Sequence, residues 1–183
     1  MTKKPKVLGS QVVASSRLFS VEAVDLEFSN GQQVSFERIM GGKDGIVMVM
    51  AINTRQELIL IKEYATGVDR YELGFVKGKV DPGEAPEVSA QRELKEEIGF
   101  GAERITFLRE IRINPGYSNF RTFIYLAEGL FEETLQGDEI EPLEQVTWPL
   151  AEIDKLHQHE ELTDVRTLYG LYLLKEHLSN RDV

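Results

Sequence analysis

The chain has 183 residues, 42% of them hydrophobic, and its 21 basic and 31 acidic side chains give a formal charge of −10. That length suits one globular domain with a real core, and the acidic balance argues against a duplex nucleic-acid binder, which carries a basic field. With no cysteine at all, disulfides, zinc–thiolate centres and thiol catalysis are excluded, and a reducing, cytoplasmic compartment is expected.

Met1 to Leu8 is basic but lacks the apolar run of a signal peptide. The longest apolar run, Gly45 to Ile52, is far too short to span a bilayer, so no membrane partner is expected. Phe19–Phe28 and Gln33–Ile39 read as strands joined at Asn30-Gly31, a strong hairpin signal. The glycine-rich stretch Gly41–Gly45 then separates an N-terminal region, residues 1–44, from the rest, 45–183. Ile46–Ile52 is nearly all apolar, as in a strand buried on both faces. Glu57–Glu63 alternates as a further strand, and Arg70–Val76 reads as a third.

Asp81-Pro82-Gly83 is a turn. Pro86 suits a first helical turn and Gly99 a helix stop, so a helix of about 20 Å is expected over Ala85–Ile98. Ala90, Leu94 and Ile98 form its core stripe, which leaves Glu93, Glu96 and Glu97 on the side away from the core. Arg104–Ile113 and Arg121–Glu128 read as strands, Glu132–Glu144 as an acidic loop, and Gln145–Leu150 as a short strand. Thr163–Leu178 reads as an amphipathic helix with Val165, Leu168, Tyr172 and Leu178 inward. The three histidines (His157, His159 and His177) fall in this C-terminal region and read as surface residues. Strands and helices mix along the chain, which predicts an α/β fold with helices packed on a mixed sheet.

The acidic helix carries the chemistry. Glu93, Glu96 and Glu97 are three or four residues apart and converge on one patch, where they repel one another unless a cation sits against them. Oxygen donors without nearby His or Cys select a hard ion, Mg²⁺ or Mn²⁺. Arg92, four residues before Glu96, is suited to hold that carboxylate, and Glu84, in position. The preceding glycine turn lets backbone carbonyls approach a metal. A solvated charged helix face is the other reading of such a string.

The order of residues favours the metal site. Gly78, Glu84, Arg92, Glu93, Leu94, Glu96, Glu97, Gly99 and Phe100 fill, without a gap, the spacing of the box of the Nudix hydrolases, which the segment therefore resembles. The resemblance implies an α/β/α sandwich with an N-terminal β-hairpin extension. It also implies metal-dependent hydrolysis of a nucleoside diphosphate linked to another group. By matching position, Glu93 and Glu97 are the main metal ligands, Glu96 a third, Gly78 a backbone ligand and Glu84 a helper, with Arg92 and Glu96 in the catalytic set.

Pro115, fifteen residues after the box, and the stretch Asn114–Ser118 resemble the ADP-ribose pyrophosphatase branch. Lys77-Gly78-Lys79, and Tyr117 as an adenine-stacking ring, resemble the dinucleoside polyphosphate hydrolases. Ala65 stands where the former often carry arginine, so Arg70, Lys77 or Arg112 has to make that phosphate contact. Ser16–Phe19, Val24–Gly31, Tyr71–Phe75 and Trp148–Leu150 resemble bacterial hydrolases of ADP compounds over most of the chain. This implies a small nucleotide substrate (ADP-ribose, diadenosine polyphosphates and, as a side substrate at best, NADH), with AMP released. Substrate contacts are expected at Pro115, Tyr117, Arg70, Lys77 and Glu72. A dedicated dinucleoside polyphosphate hydrolase or a cap-type pyrophosphohydrolase is the alternative. In the acidic loop the match assigns Glu139 as general base and Glu141 as a metal ligand, with Glu133 and Glu144 as competitors for the base. The N-terminal hairpin buries little alone, and the ADP-ribose branch uses its N-terminal strands to form homodimers, so a homodimer is expected.

Overall fold

The computed structural model describes residues 3–42, 44–137 and 140–181. By packing, the chain divides into two units, Met1–Gly45 with Ile111–Thr122, and Ile46–Glu110 with Phe123–Val183.

The first unit is a three-stranded antiparallel sheet in the order β1 (Lys6–Ser15), β2 (Ser20–Glu27), β3 (Gln33–Met40). The strand β1 has no counterpart in the sequence expectation. Register shifts between Val7 and Gly9 and between Val12 and Ala14 break its alternation, so its period-two pattern is lost from the sequence. The expected turn is present: Gly31 has φ 81°, and Asn30 Oδ1 accepts from the Gln32 N–H at 3.1 Å. The unit also takes in the turn around Asn114–Phe120. There Ile39 N–H donates to Tyr117 O at 2.8 Å, and Gly41 N–H donates to Asn119 Oδ1 at 2.7 Å. Gly41 has no room for a side chain, because a Cβ would fall 2.0 Å from the Phe120 ring.

The second unit is built on a seven-stranded sheet. Its main path is β10 (Glu144–Pro149), β5 (Glu57–Ala65), β4 (Ile46–Ile52), β9 (Arg121–Glu132), β8 (Phe100–Arg112). The strand β6 (Arg70–Gly74) pairs with β5, and β7 (Val76–Lys79) pairs with β4. Thus the stretch expected as one strand, Arg70–Val76, is two strands that part at Phe75. The apolar run in β4 is buried on both faces. Val47, Val49 and Ala51 pack with Ala90, Leu94 and Ile98 of helix α1 (Pro86–Glu97). Met48 and Met50 meet Gly170 of helix α3 (Val165–Ser179). The two helices therefore lie on opposite faces of the sheet, and the expected α/β/α sandwich is what the chain forms. A short helix α2 (Ile153–Leu156) precedes α3.

The roll of α3 differs from the expected one. Thr167, Gly170, Leu171 and Leu174 are buried, while Val165 and Tyr172 are more than half exposed. Gly170 faces the sheet closely: a Cβ there would lie 2.8 Å from Met48 Cε and 3.3 Å from Met50 Sδ, so a side chain would have to displace the Met48 methyl. Asp164 caps the helix, accepting from Arg166 N–H at 3.0 Å.

Candidate active site

The strand β7 delivers Gly78 beside α1, and the turn Asp81-Pro82-Gly83 leads into the helix. Gly83 adopts φ 85°, and Glu84 N–H closes the turn onto Asp81 O at 2.9 Å. Pro86 occupies the first helical turn and Gly99, at φ 75°, ends the helix.

Glu93 does not lie on the solvent side as expected. It is 8% exposed, because its carboxylate rests on the bare α-carbon of Gly78. A Cβ on Gly78 would fall 1.8 Å from Glu93 Cδ. Arg92 gathers the rest: its guanidinium donates to Glu93 Oε1 at 2.7 Å, to Glu96 Oε2 at 2.8 Å and to the Lys79 carbonyl at 2.9 Å. It also approaches Glu84 Oε2 at 3.4 Å. Burial alone would lower the Arg92 pKa, but the bonds to Glu93, Glu96 and Glu84 outweigh it and raise it. The Ser89 hydroxyl, bonded to Glu84 at 2.6 Å, and then Arg92 hold the Glu84 carboxyl below its ordinary range. One turn on, along the same face of the helix, Glu97 accepts from the Lys77 backbone N–H of β7 at 3.3 Å.

Arg92, Glu93 and Glu96 border a cleft of about 490 Å³ whose lining is completed by Lys79 and Asp81, with Gln136 and Gly137 beyond the end of β9; Gly78, Glu84 and Glu97 are not among its lining residues. The donors are those a hard divalent cation prefers, carboxylate and carbonyl oxygens. Gly78 leaves the space that the Glu93 carboxylate fills; Arg92 Nε, a donor, is buried with no hydrogen-bond partner among the described residues. Among the described residues no three acidic or histidine side chains already converge as a metal cage; instead Arg92 spans Glu93 and Glu96. The donor set fits an ion, with the carboxylates engaged by arginine.

The other expected site residues lie apart from this cleft lining. Glu139 falls outside the described residues. Glu141 accepts from the Tyr71 hydroxyl at 2.6 Å. Arg70 pairs with Glu72 at 2.6 Å, and Glu72 accepts from both the N–H and the hydroxyl of Thr163. Lys77 is buried. Desolvation, with repulsion from Arg166, lowers its pKa despite Asp164, Glu63 and Glu97, and its nearest carboxylate oxygen, on Asp164, is 3.9 Å away. Pro115 and Tyr117 belong to the first unit. Gln136 and Gly137 went unforeseen as cleft residues, for they sit in a stretch with neither periodicity nor motif.

Comparison with known proteins bears on this geometry. The NUDIX domain pattern matches residues 43–166, and that of the NudE-type Nudix hydrolase N-terminal domain matches residues 5–38. The chain is 46% identical over 179 residues to the ADP compounds hydrolase NudE of Escherichia coli (strain K12), covering 98% of this chain and 96% of that one. It is 30% identical over 177 residues to an ADP-ribose pyrophosphatase of Bacillus subtilis (strain 168), covering 93% and 95%. A crystal structure of an ADP compounds hydrolase superposes with a TM-score of 0.93 at 45% identity, over 99% of this chain and 97% of the other.

Proposed function

The chain belongs to the Nudix hydrolases, and on that premise we propose that it hydrolyses the pyrophosphate bond of ADP-linked compounds and releases AMP. The observation that carries this reading is the Glu93 carboxylate seated on Gly78 and joined to Glu96 through Arg92. Nudix hydrolases need a divalent metal ion, which neutralises pyrophosphate charge and acidifies the attacking water. Mg²⁺ or Mn²⁺ is the ion we assign here.

In this reading Glu93, Glu97, Glu96 and the Gly78 carbonyl would hold the ion, with Glu141 as a further ligand. Arg92 keeps Glu93 and Glu96 aimed, a role its three short hydrogen bonds support. Glu139 takes the proton from the attacking water. Lys77, Arg70 and Glu72, with Pro115 and Tyr117, are the substrate contacts we assign from sequence. ADP-ribose and diadenosine polyphosphates are the leading substrates and NADH a side substrate.

A homodimer and a cytoplasmic location complete the proposal. The first supports itself on the apolar side chains that the three-stranded sheet leaves exposed, among them Val7, Val12, Val34 and Phe36. Sedimentation that finds only the 20.8 kDa chain at micromolar concentration would remove the dimer. Among the described residues no helix is long and apolar enough to cross a membrane.

The test of function is a substrate panel in ¹⁸O-water with Mg²⁺ or Mn²⁺. ADP-ribose should yield AMP and ribose 5-phosphate. ADP-ribose left intact while a diadenosine polyphosphate is cleaved would favour a dedicated dinucleotide enzyme.

A further inference from the structure

The last turn of α1 carries Glu96 and Glu97, yet its carbonyls need partners, since the final four carbonyls of a helix have none within it. At this end Leu94 O takes the Ile98 N–H, Lys95 O is met from outside the box, and two further outside bonds fall just past the helix, on Ile98 O and Gly99 O. Leu135 N–H donates to Lys95 O at 3.1 Å and Glu133 N–H to Gly99 O at 3.0 Å. The Gln145 side-chain amide donates to Ile98 O at 3.2 Å. The segment 133–137 beyond β9 thus runs along the helix end, and two further contacts fasten it. Lys95 Nζ pairs with Glu133 Oε2 at 2.9 Å. Gly137 packs beside the helix, where a Cβ would sit in ordinary contact at 3.4 Å from Glu96 Cβ.

We propose that this segment and Gln145 form a cap supplied by a distant stretch of the same chain, which fixes the last turn of α1 and so aims Glu96 and Glu97. Leu135 acts through its backbone N–H and Gln145 through its amide, and both are positioning residues. The alternation of contacts at 133, 135 and 137 is that of an extended chain laid against the helix, and the same segment brings Gln136 and Gly137 to the cleft wall. A helix end held by its own glycine stop alone would fray, and fraying would spread the carboxylates of the last turn.

The aim of the carboxylates matters only if they bind metal, so the inference rests on the proposed function. The experiment separates the two. Amide exchange over residues 94–99 and Mn²⁺ binding by electron paramagnetic resonance are compared in wild type, Leu135→Pro, Leu135→Ala and Gln145→Leu. Leu135→Pro removes the N–H, whereas Leu135→Ala keeps it and discards only a half-exposed side chain. The expected result is faster exchange of the last turn and about tenfold weaker Mn²⁺ binding in Leu135→Pro, with Leu135→Ala matching wild type and Gln145→Leu shifting the same way as the proline variant. Unchanged exchange in both Leu135→Pro and Gln145→Leu overturns the cap, as does an alanine variant as impaired as the proline one. If Leu135→Pro fails to fold, Gln145→Leu decides by the same readouts. Wild type that binds no Mn²⁺ would sink the metal reading, and exchange in the metal-free protein would still decide the cap.

Discussion

The Glu93 carboxylate lies on the α-carbon of Gly78, at a place where a single methyl would come within 1.8 Å of its carboxyl carbon. No small relaxation absorbs such an overlap, because Glu93 is held by Arg92 and Gly78 is paired with Val47 across β7 and β4. Gly78→Ala is expected to cost about 1–3 kcal/mol of stability, the usual range for overpacking. It should also lower kcat by about a hundredfold or more through a misplaced ligand. Thermal melts and steady-state kinetics on ADP-ribose check both; a variant with wild-type kcat would mean that the seat is dispensable.

Arg92→Lys keeps the charge and loses the fork. An ammonium cannot reproduce the planar set of bonds to Glu93, Glu96 and the Lys79 carbonyl. The expected loss in kcat is about 10- to 100-fold, with a rise in the metal concentration needed for half-maximal rate. A metal titration of the variant with substrate held saturating measures it.

Glu97→Gln retains a carbonyl oxygen for the Lys77 N–H but removes a ligand charge. Turnover should fall by orders of magnitude while the melting temperature stays near wild type. Equal turnover would take Glu97 out of the mechanism.

Acid stability should bear the mark of Glu128. Hydrogen bonds from Arg181, at 2.6 and 2.7 Å, and a weaker one from Arg104 outweigh burial and hold its carboxyl at about 2, against an ordinary 4.5. A carboxyl depressed by folding stabilises the protein above its unfolded pKa, and the benefit drains away as pH falls through the folded one. The window is therefore pH 4.5 down to about 2. Because both arginines are partly exposed, the contribution is about 2 kcal/mol. Melting curves of wild type and Glu128→Gln should lie apart at neutral pH and converge toward pH 2. Parallel curves would show that the carboxylate carries no such linkage.

Sequence and structure agree where a local pattern suffices. Ile46–Ile52 is legible because a strand buried on both faces has to be apolar throughout. The helix after Gly83 is legible from Pro86 and Gly99, and its four-residue stripe Ala90, Leu94, Ile98 is buried. Other features depend on close approach between segments far apart in sequence. Glu93 looked solvent-facing on a helical projection because nothing local reveals that Gly78 offers it a seat. Helix α3 sets Gly170 against Met48 and Met50, which periodicity within the helix cannot report. The strand β1 was hidden by its own bulges, and Gln136 entered the cleft through backbone bonds that any residue type can make.

The turn that meets the end of β3 comes from residues 111–122, so the first unit is assembled from two stretches of chain with a long excursion between them. The link from Gly41 to Asn119 spans 78 positions. During synthesis the ribosome will have released β1, β2 and β3 well before their last partner emerges. Until then the end of β3 has unfilled backbone donors and acceptors, and closing so large a loop is slow. The junction between β3 and this turn therefore closes after the local pairings of β1 with β2 and of β2 with β3.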